Sequence, residues 1–440
     1  MKKLILFAVM ALVVAVGANA YAELKNVEVG GSIRLRGDIY DPSFFNDHNP
    51  GDDFLSTTTR LNISAEMTDG VSAFIELQQI NIWGDQIGDD GWSSVPGAPP
   101  SLTDEDGFSL YRGYILIEDV GDNEGLSLKI GRQELTYGTE FILGNNDFGP
   151  GLSHDAIAAI YVQDDMRVDL FAAKVAEGRT MWGTEDDADV DLFGIYSTYT
   201  GMEDYVVDAY LLFARAADWG GAGPIYVPPP QVPTETDPSQ LWTLGARVGG
   251  VYEALDYNGE AAFQFGDNGW GGDYEGWALD AGVGYSFDYE CNPRLGLNYT
   301  FSSGDDGEFD DDTETFLAPF ADNYHRYGYM DLFGLGNLNV LKLSVTAEPT
   351  EKIGVGCHLL HFLAVEHEDN VAPYGGAGGA NANSDTVGTE LDLVADYAYS
   401  EDLSFELAFA HFWASGYTRD AFGQQDDDMY RIYLQAKLVF

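Results

Sequence analysis

The chain has 440 residues, with 21 Lys and Arg against 73 Asp and Glu, a formal net charge of −52. That deficit of cations excludes nucleic acid as a partner, because neutralising phosphates needs a surplus of Lys and Arg. Two cysteines exclude a disulfide scaffold and a cysteine-based metal cluster, and a hydrophobic share of 45% excludes wholesale disorder.

The first element is an address. Met1, Lys2 and Lys3 are followed by an apolar stretch from Leu4 to Gly17, too short to span a bilayer comfortably. Ala20-Tyr21-Ala22 satisfies the small-x-small cleavage rule. Residues 1–22 are therefore expected to be a signal peptide and residues 23–440 a single exported domain.

Beyond it the chain alternates. In Trp277 to Phe287 every odd position is apolar or aromatic and every even one small or polar. Leu61, Ile63, Ala65 and Met67 alternate in the same way with Arg60, Asn62, Ser64 and Glu66. Period two means strands with one apolar and one polar face. Such segments are expected near 25–40, 56–68, 70–83, 107–119, 125–134, 154–163, 165–175, 189–200 and 204–216. The second half adds 241–255, 257–267, 276–288, 293–303, 337–348, 351–365, 386–400, 401–413 and 429–440.

The links between them follow a rhythm. Short links such as Thr68-Asp69-Gly70 and Ser400-Glu401-Asp402 alternate with long ones near 41–55, 84–106, 135–153, 217–240, 304–336, 366–385 and 414–428. A soluble sandwich has no reason to keep that rhythm, whereas an outer-membrane barrel has short periplasmic turns and long extracellular loops. The expected fold is all-β: one transmembrane antiparallel up-and-down β-barrel of about 18 strands. Closure removes the edges that so many alternating strands would otherwise expose. The last strand keeps its apolar phase through to Phe440, the terminal signal by which such barrels engage their assembly machinery. The implied place is the outer membrane of a Gram-negative-type bacterium, with lipid as partner and a monomeric state.

Charge is unevenly distributed. Acids crowd the long loops, as in Asp305, Asp306, Glu308, Asp310, Asp311 and Asp312. That run lacks the ligand spacing of a calcium loop and reads as a solvated surface. Twelve bases, Arg34, Arg36, Arg60, Arg112, Lys129, Arg167, Arg247, Arg294, Lys342, Lys352, Arg431 and Lys437, are assigned to strands on the polar phase, which faces the lumen of a barrel. Arg60, Arg112, Lys129, Arg247, Arg294, Lys342 and Arg431 are the candidate pore-lining and substrate-contacting residues. Asp38, Glu76, Asp169, Glu260, Asp280, Glu390, Asp392 and Glu406 share that phase and are candidate partners. A basic constriction selects anions, while acidic loops at the mouth favour cations.

Enzymatic signatures are missing. His154 follows Ser153 without a Gly-x-Ser-x-Gly elbow. His358 and His361 are three apart on a strand and point to opposite faces. No metal, catalytic residue or cofactor is expected.

Several segments resemble the alginate-export family of outer-membrane barrels: Arg60-Leu61-Asn62, Tyr111 to Ile115, Leu128 to Leu135, Tyr324 to Leu338 and Glu390 to Leu393. The resemblance implies an eighteen-stranded monomeric barrel with an arginine-lined pore that conducts polyanions. It also sets Arg132 beside the pore residues, although strict alternation from Ile130 turns it outward unless Gly131 makes a bulge. The function expected is a porin for a hydrophilic solute, an anionic one or a polysaccharide. The alternatives are a general or cation-preferring porin and a plugged barrel with a binding or structural role.

Overall fold

The computed structural model describes residues 25–41, 52–83, 107–176, 189–216, 238–269, 271–306, 312–366, 384–418 and 428–440. The expected signal peptide and the loops near 84–106 and 217–240 lie largely or wholly outside them.

The first nine strands are Lys25–Asp41 (β1), Asp52–Thr68 (β2), Val71–Ile82 (β3), Ser109–Ile117 (β4), Leu126–Gln133 (β5), His154–Gln163 (β6), Met166–Ala176 (β7), Val190–Met202 (β8) and Tyr205–Ala216 (β9). They continue with Ser239–Tyr252 (β10), Leu255–Asp267 (β11), Asp273–Tyr274 (β12), Trp277–Ser286 (β13), Arg294–Ser302 (β14), Leu338–Thr350 (β15), Ile353–Ala364 (β16), Thr386–Ala398 (β17), Leu403–Ala414 (β18) and Met429–Val439 (β19). Each barrel strand pairs antiparallel with its neighbours in sequence, and β1 pairs with β19. The two-residue β12 is a spur on β11, and β11 pairs on to β13. The barrel is therefore closed by eighteen strands, the number expected from alternation.

Closure runs through the last residue. Gly31 N–H donates to the Phe440 carbonyl at 2.8 Å, and Phe440 N–H donates to the Gly31 carbonyl at 3.0 Å. The start of β1 and the end of β19 thus lie at the short-turn, periplasmic end, as an even strand number requires.

Alternation explains the wall. Leu35, Leu244, Leu341, Leu343 and Val345 are exposed on the outer, lipid-facing surface, while Ala262, Ala278 and Ala408 on the other phase are buried. An apolar outer band is what hydrocarbon demands, and pairing around a closed sheet satisfies every backbone group inside it. Bulges break the period in β4, β7 and β17. A bulge in β4, opposite Glu76 and Leu77, turns both Tyr111 and Arg112 inward. Lys352, expected within a strand, sits in the turn between β15 and β16 and donates to the Tyr399 carbonyl at 2.9 Å.

Candidate functional site: two loops folded into the lumen

Two long connections enter the barrel. The first, residues 134–153, links β5 to β6 and buries Leu135, Phe141, Ile142 and Leu143. The second links β14 to β15; its described residues, 303–306 and 312–337, bury Phe316, Phe320, Tyr327, Met330 and Phe333. Their apolar side chains share one core with interior wall residues such as Leu212, Phe362 and Phe412. Such a run of apolar residues would cost free energy if left in water, which is the physical reason both loops fold inward.

The loops clasp each other. Gly144 N–H donates to the Phe320 carbonyl at 2.7 Å, and Asp322 N–H donates to the Glu140 carbonyl at 3.0 Å. Arg326 donates to the Thr139 carbonyl at 2.5 Å and to Asp280 on β13 at 2.9 Å. The Phe148 ring stacks on Tyr324, whose hydroxyl meets that of Tyr433 at 2.5 Å.

The wall cations hold these loops. Arg34 donates to the Asp147 carbonyl and, at 2.8 Å, to that of Gly149. Arg36 donates to the Phe148 carbonyl at 3.0 Å and lies over its ring. Arg60 pairs with the Asp147 carboxylate at 2.5 Å and packs over Tyr111. Arg112 bridges Glu76 at 2.7 Å and Glu134 at 2.8 Å. Arg431 pairs with Asp38 at 2.6 Å and donates to the Tyr329 and Met330 carbonyls at 3.3 and 3.5 Å.

The remaining candidates make other contacts. Lys129 lies over the Tyr114 ring. Arg247 pairs with Asp208 at 2.5 Å, and Arg294 with Asp256 at 2.5 Å. Lys342 donates to the His325 carbonyl.

Arg132 is a correction. It stands opposite Asp155 in an unbroken β5–β6 register and bonds that carboxylate at 2.7 Å. Asp155 shares the outward phase of exposed Ile157, so Arg132 faces away from the lumen. The bulge that would have turned it inward lies in β4 instead of at Gly131. The two histidines behave as the strand period requires: His358 faces the interior and meets Ser344 at 2.9 Å, while His361 shares the outward phase of Leu359. Cys291 and Cys357 are both free.

Sequence reasoning missed Asp147, Arg326, Asp208 and Asp256. The first two lie on aperiodic loops where no phase exists to read. Asp256 shares the polar phase of β11 with Glu260, and Asp208 alternates on β9 with the outward Val207 and Ala209, so alternation carried that signal.

On the periplasmic side of the clasp lies a cavity of 520 Å³. Arg294, Arg326 and Lys342 face it together with Glu140, Asp256 and Asp322. Burial, and then the neighbouring Glu140, raise the Asp322 carboxyl to about 6. Burial, and then Lys342, lower His325 to about 4, leaving its imidazole neutral at pH 7. Among the described residues, no group of three or more His, Cys, Asp or Glu is arranged to hold a metal ion.

A closed antiparallel barrel of eighteen strands with this topology defines the class: an outer-membrane β-barrel porin. Residues 25–430 match the model of the family described as alginate export, and the chain belongs to that family. Solved structures agree on the fold. Pseudomonas aeruginosa OccK11 (OpdR) is similar at TM-score 0.57 and 12% identity, over 94% of this chain and 96% of that one. Acinetobacter baumannii OccAB4 is similar at TM-score 0.61 and 11% identity, over 96% and 100%. Pseudomonas aeruginosa OpdK, solved with vanillate, is similar at TM-score 0.59 and 10% identity, over 94% and 98%. No curated protein sequence matches the chain.

Proposed function

We propose that the protein is a channel for small hydrophilic solutes that carry an anionic group, a uronate or another carboxylate among them. Arg60, Arg112, Lys129, Arg247, Arg294, Lys342 and Arg431 form, with their acid partners, the polar track of its pore. The observation that carries this reading is a basic arc. Arg431 and Lys437 on β19, Arg34 and Arg36 on β1, Arg60 on β2, Arg112 on β4 and Lys129 on β5 lie on the interior phase of one stretch of wall. Planar guanidinium forks bond carboxylates in pairs without losing charge. The family's own description supports a polyuronate, and a chain of that kind requires the two loops to swing aside. Residues 1–22 act as the export signal, Phe440 addresses the assembly machinery, and the barrel works as a monomer.

Reversal potentials in a salt gradient across a planar bilayer test this reading. The expected result is anion preference that falls in the Arg112→Ala, Arg247→Ala double variant. A cation-preferring wild type whose selectivity the double variant leaves unchanged overturns it.

The shared apolar core of the loops favours a second reading, a barrel closed at rest. Bilayers that stay silent with the intact protein, and conduct once residues 140–150 are deleted, support that reading.

A further inference from the structure

The lipid-facing surface carries a row of charge that the pore does not use. Arg132, Asp155, Lys174, Asp191 and Arg215 stand opposite one another in continuous register on β5, β6, β7, β8 and β9. All five lie on the outward phase, with Ile130, Ile157, Leu170, Phe193 and Phe213 on the same face of their strands. Each is one or two residues from the long-loop end of its strand. The row therefore follows the extracellular edge of the hydrocarbon-facing band.

Aromatic rings lie beneath its β8–β9 end and run on along β10 and β11. Phe193 and Phe213 stack at 6.1 Å, Phe213 and Trp242 at 4.4 Å, and Trp242 and Phe265 at 6.2 Å. A belt of this kind marks the depth of the lipid headgroups. Charge on a lipid face is least costly at that depth, and long basic side chains lay their stems on apolar surface while lifting the charge into the headgroup layer. At equivalent places elsewhere on the rim stand Trp277, Phe301, Leu363 and Trp413. Among the described residues, no other strand carries an outward Lys or Arg at this rim.

Bases recur on every second strand of the row, about 10 Å apart at the spacing of neighbouring strands. The acids between them set their direction: Arg132 bonds Asp155 at 2.7 Å, and Lys174 bonds Asp189 at 2.9 Å and Asp191 at 2.8 Å. Arg215, opposite Asp191, forms no ion pair among the described residues. Exposed pairs of this sort rearrange at little cost.

We propose that this strip docks phosphate-bearing lipid headgroups of the surface leaflet. Arg132, Lys174 and Arg215 bond the phosphate oxygens, and Asp155 and Asp191 keep the three bases spread and aimed outward. The arginine fork matches two phosphate oxygens at once. The continuity of the strip with the lipid-facing aromatic belt selects a membrane lipid as occupant over a second protein.

The test uses the full chain in detergent, bis-phosphorylated lipid A as probe, and the same lipid with its phosphates removed. Retained lipid is counted by native mass spectrometry. The wild type is expected to retain the phosphorylated form preferentially, with a loss of about fivefold for each base changed to Gln among Arg132, Lys174 and Arg215. Arg167→Gln, on the interior phase, is expected to keep the preference. Arg215→Gln alone decides the matter if the triple variant does not fold, since it breaks no ion pair among the described residues. Equal retention of both lipids by the wild type, or undiminished retention by Arg215→Gln and the triple variant, overturns the proposal. So does a fall in oligomeric mass in the triple variant without any dependence on phosphate, which would assign the strip to a second copy of the chain.

Discussion

The Arg431 guanidinium on the last strand bonds the Asp38 carboxylate on the first through two nitrogens, at 2.6 and 3.0 Å. This pair spans the seam where the barrel closes, and the same guanidinium reaches the Tyr329 and Met330 carbonyls of the second inward loop. Both residues are buried. Breaking one partner leaves an uncompensated charge, at about 3–5 kcal/mol. Arg431→Gln is therefore expected to lower the heat-denaturation midpoint, read as gel mobility of the folded form, and to add noise to single-channel traces. In a double-mutant cycle, Arg431→Gln and Asp38→Asn together are expected to cost less than the sum of the two.

Asp147 on the first inward loop pairs with Arg60 at 2.5 Å and lies 3.7 Å from Lys437. Asp147→Asn removes one negative charge and releases two wall cations to the lumen. Anion selectivity is expected to rise, seen as a shift of the reversal potential toward that of the permeant anion.

Asp322 gives a pH dependence with a defined sign. Its carboxyl is raised from an ordinary 3.8 to about 6, by burial first and by Glu140 second. It is neutral below that value and negative above it, so the cavity becomes less hospitable to anions as pH rises from 5 to 7. Anion preference should fall over that interval, and Asp322→Asn should flatten the curve. The folded state holds this proton more tightly than the unfolded chain does. The stability it contributes is thus complete below pH 3.8 and lost as pH rises through about 6. His325, held at about 4, stays neutral over the same interval and adds nothing to the slope.

Gly328 has φ of +100°, and a Cβ there would lie 2.2 Å from a Glu390 carboxylate oxygen. Gly328→Ala meets both backbone strain and a clash. The loss of stability is expected to be on the order of 1–3 kcal/mol, with the second loop more readily cut by protease.

Arg112 and Arg132 lie on neighbouring strands and face opposite sides of the wall. Arg132→Gln is expected to leave conductance and reversal potential unchanged. Arg112→Gln strips Glu76 and Glu134 of their shared cation, and is expected to move selectivity toward cations.

Strand positions were legible because a period of two is a local property. Leu61 and Arg60 report opposite faces of β2 whatever lies elsewhere in the chain. The eighteen-strand count and a closed barrel follow from that pattern together with the rhythm of short and long links. Lys174 and Arg215 were legible by the same rule, since alternation with their neighbours sets them on the outward phase.

What alternation could not reveal is which long connections enter the lumen. Residues 134–153 and 303–337 have no phase, and their places depend on contacts such as Arg34 with Asp147, 113 residues apart. The sequence by itself determined a barrel wall with its cations on one face. Only the tertiary structure decided that most of the basic arc grips two loops, because a cation takes as partner whatever acid or carbonyl the folded chain brings within reach, and that choice is made across the barrel instead of along the strand.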